Sequence, residues 1–183
     1  MTTDEGRIIE EWDKDGRHII IRAAKKPDVE GYAAMHRALH QERVMATTYD
    51  ADIRIAGDLL GKRLALAATG AGVLLVMEVN DQIVGEGLLS PCNGDGSITL
   101  GIMIRKEYRG MGIGRRLMLA LEGEAHRLGK RRIDLTVWSV NAAALHLYTD
   151  LGYRQVGRFP NWIRSDLAPG GVSDLVWMIK DLA

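Results

Sequence analysis

The chain has one cysteine, Cys92, in 183 residues, which excludes an internal disulfide framework and a thiolate zinc cluster and suits a reducing compartment. Cys92 sits in the turn-like Ser90-Pro91-Cys92-Asn93-Gly94 with no histidine nearby in sequence to activate it, so it reads as a bystander thiol. Net charge is absent too: 24 Lys and Arg balance 24 Asp and Glu, which argues against a dedicated nucleic-acid binder or a polybasic membrane anchor. No long hydrophobic run exists. The most apolar uncharged stretch, Leu64 to Met77, is broken by Thr69-Gly70 and falls short of the roughly 18 residues a membrane span needs. The opening Met1-Thr2-Thr3-Asp4-Glu5 is acidic where a signal peptide carries positive charge. A cytoplasmic protein is therefore expected, with neither nucleic acid nor membrane as a partner. What is abundant is glycine, 21 residues and well above the usual share of about 7%. Several backbone positions need its conformational freedom or its missing side chain.

Periodicity sets the organisation. Residues 1–16 read as an N-terminal extension, in which Arg7-Ile8-Ile9 and Asp13-Lys14-Asp15-Gly16 offer half of a hairpin, and residues 17–183 read as a single domain. Arg17 to Arg22 is β-branched and predicts a strand. Pro27-Asp28 opens a segment with Val29, Tyr32, His36 and Leu39 at helical spacing, and Asp52 to Ala67 repeats the pattern. Val73–Val79, Ile83–Leu89 and Ser97–Ile104 predict a three-stranded meander with turns at Asn80-Asp81 and Pro91 to Gly96. Then come a helix from Gly114 to Leu128, a strand from Ile133 to Trp138, a helix from Ala142 to Leu151 and two closing strands, Tyr153–Phe159 and Leu175–Lys180. Strands first in succession and then alternating with helices predict an α+β (α/β) domain, a mixed, mostly antiparallel central sheet flanked by helices.

The informative segment is Tyr108-Arg109-Gly110-Met111-Gly112-Ile113-Gly114-Arg115-Arg116, which follows a strand and opens a helix. Glycines there let a ligand approach consecutive N–H groups at a helix N-terminus, where an anion such as a pyrophosphate is favoured. The dinucleotide fingerprint fits badly, because the glycines are spaced G-x-G-x-G and the strand before them belongs to a meander. The ATPase loop is absent: Gly57 to Gly61 is one residue short and runs into Lys62-Arg63. Residues 101–160 hold eleven basic and five acidic side chains, so the neutral total hides a basic segment around this loop, as a polyphosphate ligand favours.

The sequence resembles the GNAT superfamily of acetyl-CoA-dependent N-acetyltransferases. That family's R/Q-x-x-G-x-G/A loop is matched by Arg109-Gly110-Met111-Gly112-Ile113-Gly114 at every fixed position. A second family feature, an Asn before a helix bearing Ala, then Leu-Tyr, then Gly and an aromatic, is matched by Asn141, Ala144, Leu147-Tyr148 and Gly152-Tyr153. The resemblance covers roughly Val73 to Lys180. It implies acetyl-CoA as cosubstrate, held by Arg109 to Gly114, Arg115 and Asn141, with the backbone of Ile102, Met103 and Ile104 pairing the pantetheine arm. Asn141 serves equally as a helix cap. The resemblance also implies Tyr148 as the general acid for the leaving thiolate. No metal is implied: His36 and His40 stand four apart, without the glutamate of H-E-x-x-H.

The general base is less legible. Some family members place a glutamate on the strand that Leu100 to Ile104 resembles, and this chain has none there. Glu86 on the neighbouring strand is the first candidate, with Asp134, Asp174 and a water chain as alternatives. Tyr32, Met35, His36 and Leu39 are expected to form one wall of the acceptor pocket. The function expected is direct transfer of an acetyl group to the primary amine of a small molecule or amino-acid-like acceptor. The alternatives are a protein or peptide N-terminal acetyltransferase and a non-catalytic acyl-CoA-binding module, and a homodimer is left open.

Overall fold

The computed structural model describes residues 4–42, 52–94, 96–164 and 169–182. They form one eight-stranded sheet with helices on both faces. The strands are β1 (Ile8–Lys14), β2 (Arg17–Ala23), β3 (Val73–Val79), β4 (Gln82–Pro91), β5 (Ser97–Ile104), β6 (Arg132–Trp138), β7 (Arg154–Arg164) and β8 (Val172–Asp181). The helices are α1 (Val29–Gln41), α2 (Ile53–Ala68), α3 (Ile113–Arg127) and α4 (Ala142–Asp150). Strand order is β1-β2-β3-β4-β5-β6-β8-β7, with every pair antiparallel except β5–β6. The mixed, mostly antiparallel sheet flanked by helices is the architecture that the sequence predicts.

Local chemistry explains the joints. Asn80 and Asp81 both take positive φ, 48° and 64°, the left-handed pair that a two-residue hairpin matching strand twist requires. Asp52 caps α2 by accepting from the Arg54 N–H, and Asn141 caps α4 by accepting from the Ala144 N–H. β7 runs past Pro160, which the sequence pattern did not foresee. It is the edge strand, where a missing N–H is tolerated, and its register shifts between Phe159 and Ile163.

Two cores lie on opposite faces of the sheet. On one, Ile98, Leu100, Ile104, Ile133, Leu135, Val137, Val176 and Met178 meet Leu117, Leu121 and Ala125 of α3. On the other, Leu74, Val76 and Ile83 meet Tyr32, Met35 and Leu39 of α1 and Ala56, Leu60 and Leu64 of α2. Gly87 sets how closely α3 approaches β4: a Cβ there would lie 2.7 Å from a Leu121 methyl and 3.1 Å from a Leu117 methyl. Replacing Gly87 with Val forces these side chains apart and is expected to cost about 1–3 kcal/mol of stability, read as a lower urea midpoint at unchanged slope.

Candidate active site

The parallel pairing of β5 with β6 lasts three residues, from Ser97–Arg132 to Thr99–Asp134, where the Thr99 hydroxyl donates to Asp134 at 3.0 Å. Beyond it the strands diverge, and the Leu100–Ile104 edge of β5 has no strand beside it. On the α3–α4 face this divergence opens into a cleft of about 320 Å³. Its walls are Ile102 and Ile104 of β5, Arg109, Gly110, Gly112, Gly114 and Arg115 of the glycine loop and α3, and Asn141, Ala144, Leu147 and Tyr148 at the head and along α4. The two sequence motifs, about 30 residues apart, thus converge on one cavity.

The loop is shaped for close approach. Gly110 and Gly112 take φ of 76° and 79°, and a Cβ on either would meet nothing within 4 Å, so open space lies before the backbone at the N-terminus of α3. Arg109 folds back, donating from Nε to the Ile104 carbonyl at 2.7 Å and pairing with Glu42 at the end of α1. Glu42 also accepts from the Lys106 N–H at 2.8 Å. The first hairpin braces the other side: Lys14 Nζ donates to the Met111 carbonyl at 2.7 Å, and Arg17 lies against the Met111 sulfur. Ile113 is fully buried and anchors the start of α3. Met103 points to the opposite face, where it packs with the α1–α2 core, so only its backbone can serve the cleft.

Tyr148 is 7% exposed and packs against the α3 side of the sheet. Burial pushes its phenol up to about 12, so it holds its proton at neutral pH.

Glu86 lies buried on β4. It is 2% exposed, on the α1–α2 face beside Met103. Arg63 donates to both its oxygens at 2.7 and 2.6 Å, and His36 Nε2 lies 3.2 Å from one of them. Arg63 also bonds the Tyr32 hydroxyl. Burial alone would raise the Glu86 carboxyl; the His36 hydrogen bond and the Arg63 charge more than reverse this and hold it below the ordinary carboxylate range. Tyr32 is raised, by burial first and then by the Glu86 charge.

Asp134 is bonded to Thr99. Asp174 is lowered by the Asn161 N–H and by Arg158, and both bonds fasten the end of the β7–β8 hairpin. Tyr32, Met35, His36 and Leu39, expected as an acceptor wall, are at most 1% exposed and fill the helix–sheet core instead. Lys14, Arg17, Glu42 and Arg63 had no signal in the sequence, since each acts on a residue 23 or more positions away. Among the described residues no group of three or more His, Cys, Asp or Glu side chains is placed to hold a metal, and no helix is long and apolar enough to cross a membrane. A further cleft of about 380 Å³ lies at the far end of α3, where Arg7 and Arg127 are already paired with Asp4 and Glu124.

The chain is similar to known proteins over most of its length. The family model described as "Acetyltransferase (GNAT) family" matches residues 32–153. The L-amino acid N-acyltransferase MnaT of Escherichia coli K12 is 30% identical over 148 residues, 76% of this chain and 82% of that protein. Among solved structures, yncA of Salmonella typhimurium, a putative acetyltransferase with its cofactor acetyl-CoA, superposes with a TM-score of 0.73 at 24% identity, covering 90% of this chain and 94% of its own. RimL, a ribosomal L7/L12 alpha-N-protein acetyltransferase in complex with CoA, gives 0.80 at 14% identity over 96% and 98%. At these identities the two structures speak for the fold.

The Glu86 pairing makes a prediction about stability. A carboxyl depressed in the folded state contributes stability that is present above its ordinary value of 4.5 and is lost as pH falls through the folded value. Glu86→Gln leaves Arg63 facing a neutral amide and is expected to cost about 3 kcal/mol at pH 7. Urea titrations from pH 7 to pH 3 are expected to show a shallower acid loss in the variant than in the parent.

Proposed function

The chain belongs to the acetyltransferase (GNAT) family and has the family's acetyl-CoA-dependent acetyltransferase activity; on that premise we propose that its acceptor is the primary amine of a small molecule or amino-acid-like compound. The observation that carries the reading is that the glycine loop and Tyr148 line one cleft beside the unpaired edge of β5. A relative at 30% identity named as an L-amino acid N-acyltransferase supports the acceptor class.

The residues fit the cosubstrate. Gly110 and Gly112 leave room for a pyrophosphate against backbone N–H groups at the positive end of α3. Asn141 stands at the rim, and the free edge at Ile102, Met103 and Ile104 offers main-chain donors and acceptors to an extended amide-bearing arm. Bound acetyl-CoA supplies an activated acetyl thioester. The protein's own tasks are to bind it, to offer an N–H to the developing oxyanion and to move two protons.

One proton goes to the leaving thiolate from the Tyr148 hydroxyl. A thiolate released in the same half-buried cleft is also raised by burial, which narrows the gap between donor and acceptor. Both protons come ultimately from the acceptor ammonium: one leaves it before attack, and the other leaves the nitrogen as the amide forms and restores the Tyr148 hydroxyl. Glu86 lies on the opposite face of the sheet as an anion held by Arg63 and His36. Its depressed proton affinity suits a relay through water to solvent better than a resting place for the proton.

Two variants test these assignments. Tyr148→Phe removes one oxygen and keeps the ring, so turnover is expected to fall by roughly 10² to 10⁴ while acetyl-CoA affinity changes little. A fully active variant would take the acid role from Tyr148. Gly112→Ala puts a side chain on a residue with φ of 79° at the cleft; the thermal shift induced by acetyl-CoA is expected to shrink sharply, and its full retention would remove the loop from the cofactor site. Release of free thiol across a panel of amines and of peptide N-termini separates the proposed acceptor from a peptide acceptor and from a non-catalytic module.

A further inference from the structure

Beside five Tyr the chain has one Phe and four Trp, and four of these last five lie on β6, β7 and β8. The pattern in space is more specific. Leu135 and Val137 of β6 and Val176 and Met178 of β8 face the α3 core, so Trp138, Leu175 and Trp177 face the other way. The register pairs Trp138 with Leu175, and Leu175 with Phe159, which puts Phe159 on that same face. Trp177 sits opposite Gly157, and a Cβ on that glycine would touch the rings of both Trp177 and Phe159. The Phe159 ring meets Trp162 at 5.3 Å between centroids. Phe159 and Trp177 are 40% exposed and Trp162 63%. Among the described residues, α1 and α2 pack on β3 and β4, leaving this aromatic surface open.

The same register ties the surface to the reaction. Counting four residues on from the last β5–β6 pair, Thr99–Asp134, Met103 and Trp138 stand level on the two banks of the divergence, and Glu86 is Met103's partner on β4. With the α3–α4 side given to the cosubstrate, an acceptor reaches the divergence from this opposite face. On the β4 bank the sheet is already filled by Tyr32, Met35 and Leu39, none of them exposed. On the β6 bank an apolar row leads away from the divergence through Trp138 and Leu175 to Phe159, two strand spacings or about 10 Å.

We infer that the row Trp138–Leu175–Phe159, flanked by Trp177, is the acceptor subsite for an aryl group, so that the acceptors are primary amines bearing an aromatic ring on a short chain. The inference rests on the amine-acceptor reading above. It commits the open face to substrate because the row is continuous with the divergence where the amine must arrive. Ring faces and edges offered by Trp and Phe bind an aryl group by offset or edge-to-face contact, whereas an amine without such an arm leaves them in water.

Thiol release from acetyl-CoA is measured with 2-phenylethylamine and with ethanolamine, in the parent and in Trp177→Ala and Phe159→Ala. The parent is expected to prefer 2-phenylethylamine by tenfold or more in kcat/KM, and each variant is expected to reduce that preference by about tenfold, mainly through KM. Equal use of both amines by the parent, or an unchanged preference in both variants, overturns the subsite. Light scattering on the same samples reads the competing occupant: loss of a dimer in the variants with the preference intact would make the face an interface between copies. If no amine releases thiol, the amine-acceptor reading fails, and calorimetry of 2-phenylethylamine against the CoA-bound protein decides the subsite separately. Saturable binding that the variants weaken sustains it, and absence of binding overturns it.

Discussion

Three residue pairs hold β5 parallel to β6, and the bond from the Thr99 hydroxyl to Asp134 marks where they end. Past that point each strand follows its other neighbour, β5 staying on β4 up to the Gly85–Ile104 pair while β6 stays on β8 up to Trp138–Leu175. A sheet that stays paired buries its polar edge; one that opens in its middle leaves main-chain donors and acceptors without a strand, a cost normally avoided. Here the gap lies between an apolar wall from α4 and the backbone of the glycine loop, so an extended ligand with amide groups can complete the ladder. The cleft on one face and the open bank on the other both follow from where the pairing stops.

Two buried ionic clusters on the α1–α2 face fix how the helices sit on the β2–β4 half of this opened sheet. Arg22 of β2 grips Asp28 with two bonds of 2.8 Å and also bonds Glu78 of β3, fixing the turn into α1. Burial alone would lower this guanidinium, but the two carboxylates raise it instead. Arg63 of α2, with Glu86, His36 and Tyr32, then joins β4, α1 and α2. Buried ion pairs are weak contributors to net stability, because desolvation offsets most of the attraction. What they fix is position: a helix shifted by one turn would strand a charge away from water. Glu86 can therefore stand beside the divergence without drifting, whatever part it takes in proton transfer.

How much of this was legible in the sequence depended on the range of the contact involved. The loop from Arg109 to Gly114 and the cap at Asn141 are local, since positive φ at Gly110 and Gly112 and a side chain bonding an N–H three residues on leave their mark in adjacent letters. The helical face of Tyr32, Met35, His36 and Leu39 was legible as a face, but what it faces was not: periodicity cannot tell a core from a pocket wall. The burial of Glu86 depends on partners 23 and 50 positions away, and strand alternation had no means of announcing them. The aromatic row was hidden for a topological reason. Trp138, Phe159 and Leu175 become neighbours only because β8 inserts between β6 and β7, an order that reading along the chain does not suggest.

The basic surplus around the loop shows how a correct count can mislead about mechanism. Arg109 is paired with Glu42, Arg115 lies 3.0 Å from Asp150, and Arg116 bonds Glu10 while stacking 4.3 Å from the Trp12 ring. Each of these cations already has an acidic neighbour, so the loop does not present their full charge to an incoming phosphate. On the proposed reading, its hold on one rests largely on backbone N–H groups and on the dipole of α3, fixed in direction and needing no counter-ion to be displaced. That also gives the first hairpin a purpose. By bonding the Met111 carbonyl, Lys14 occupies an outward-turned acceptor between Gly110 and Gly112, which helps hold the loop in the orientation that offers N–H groups to the cleft.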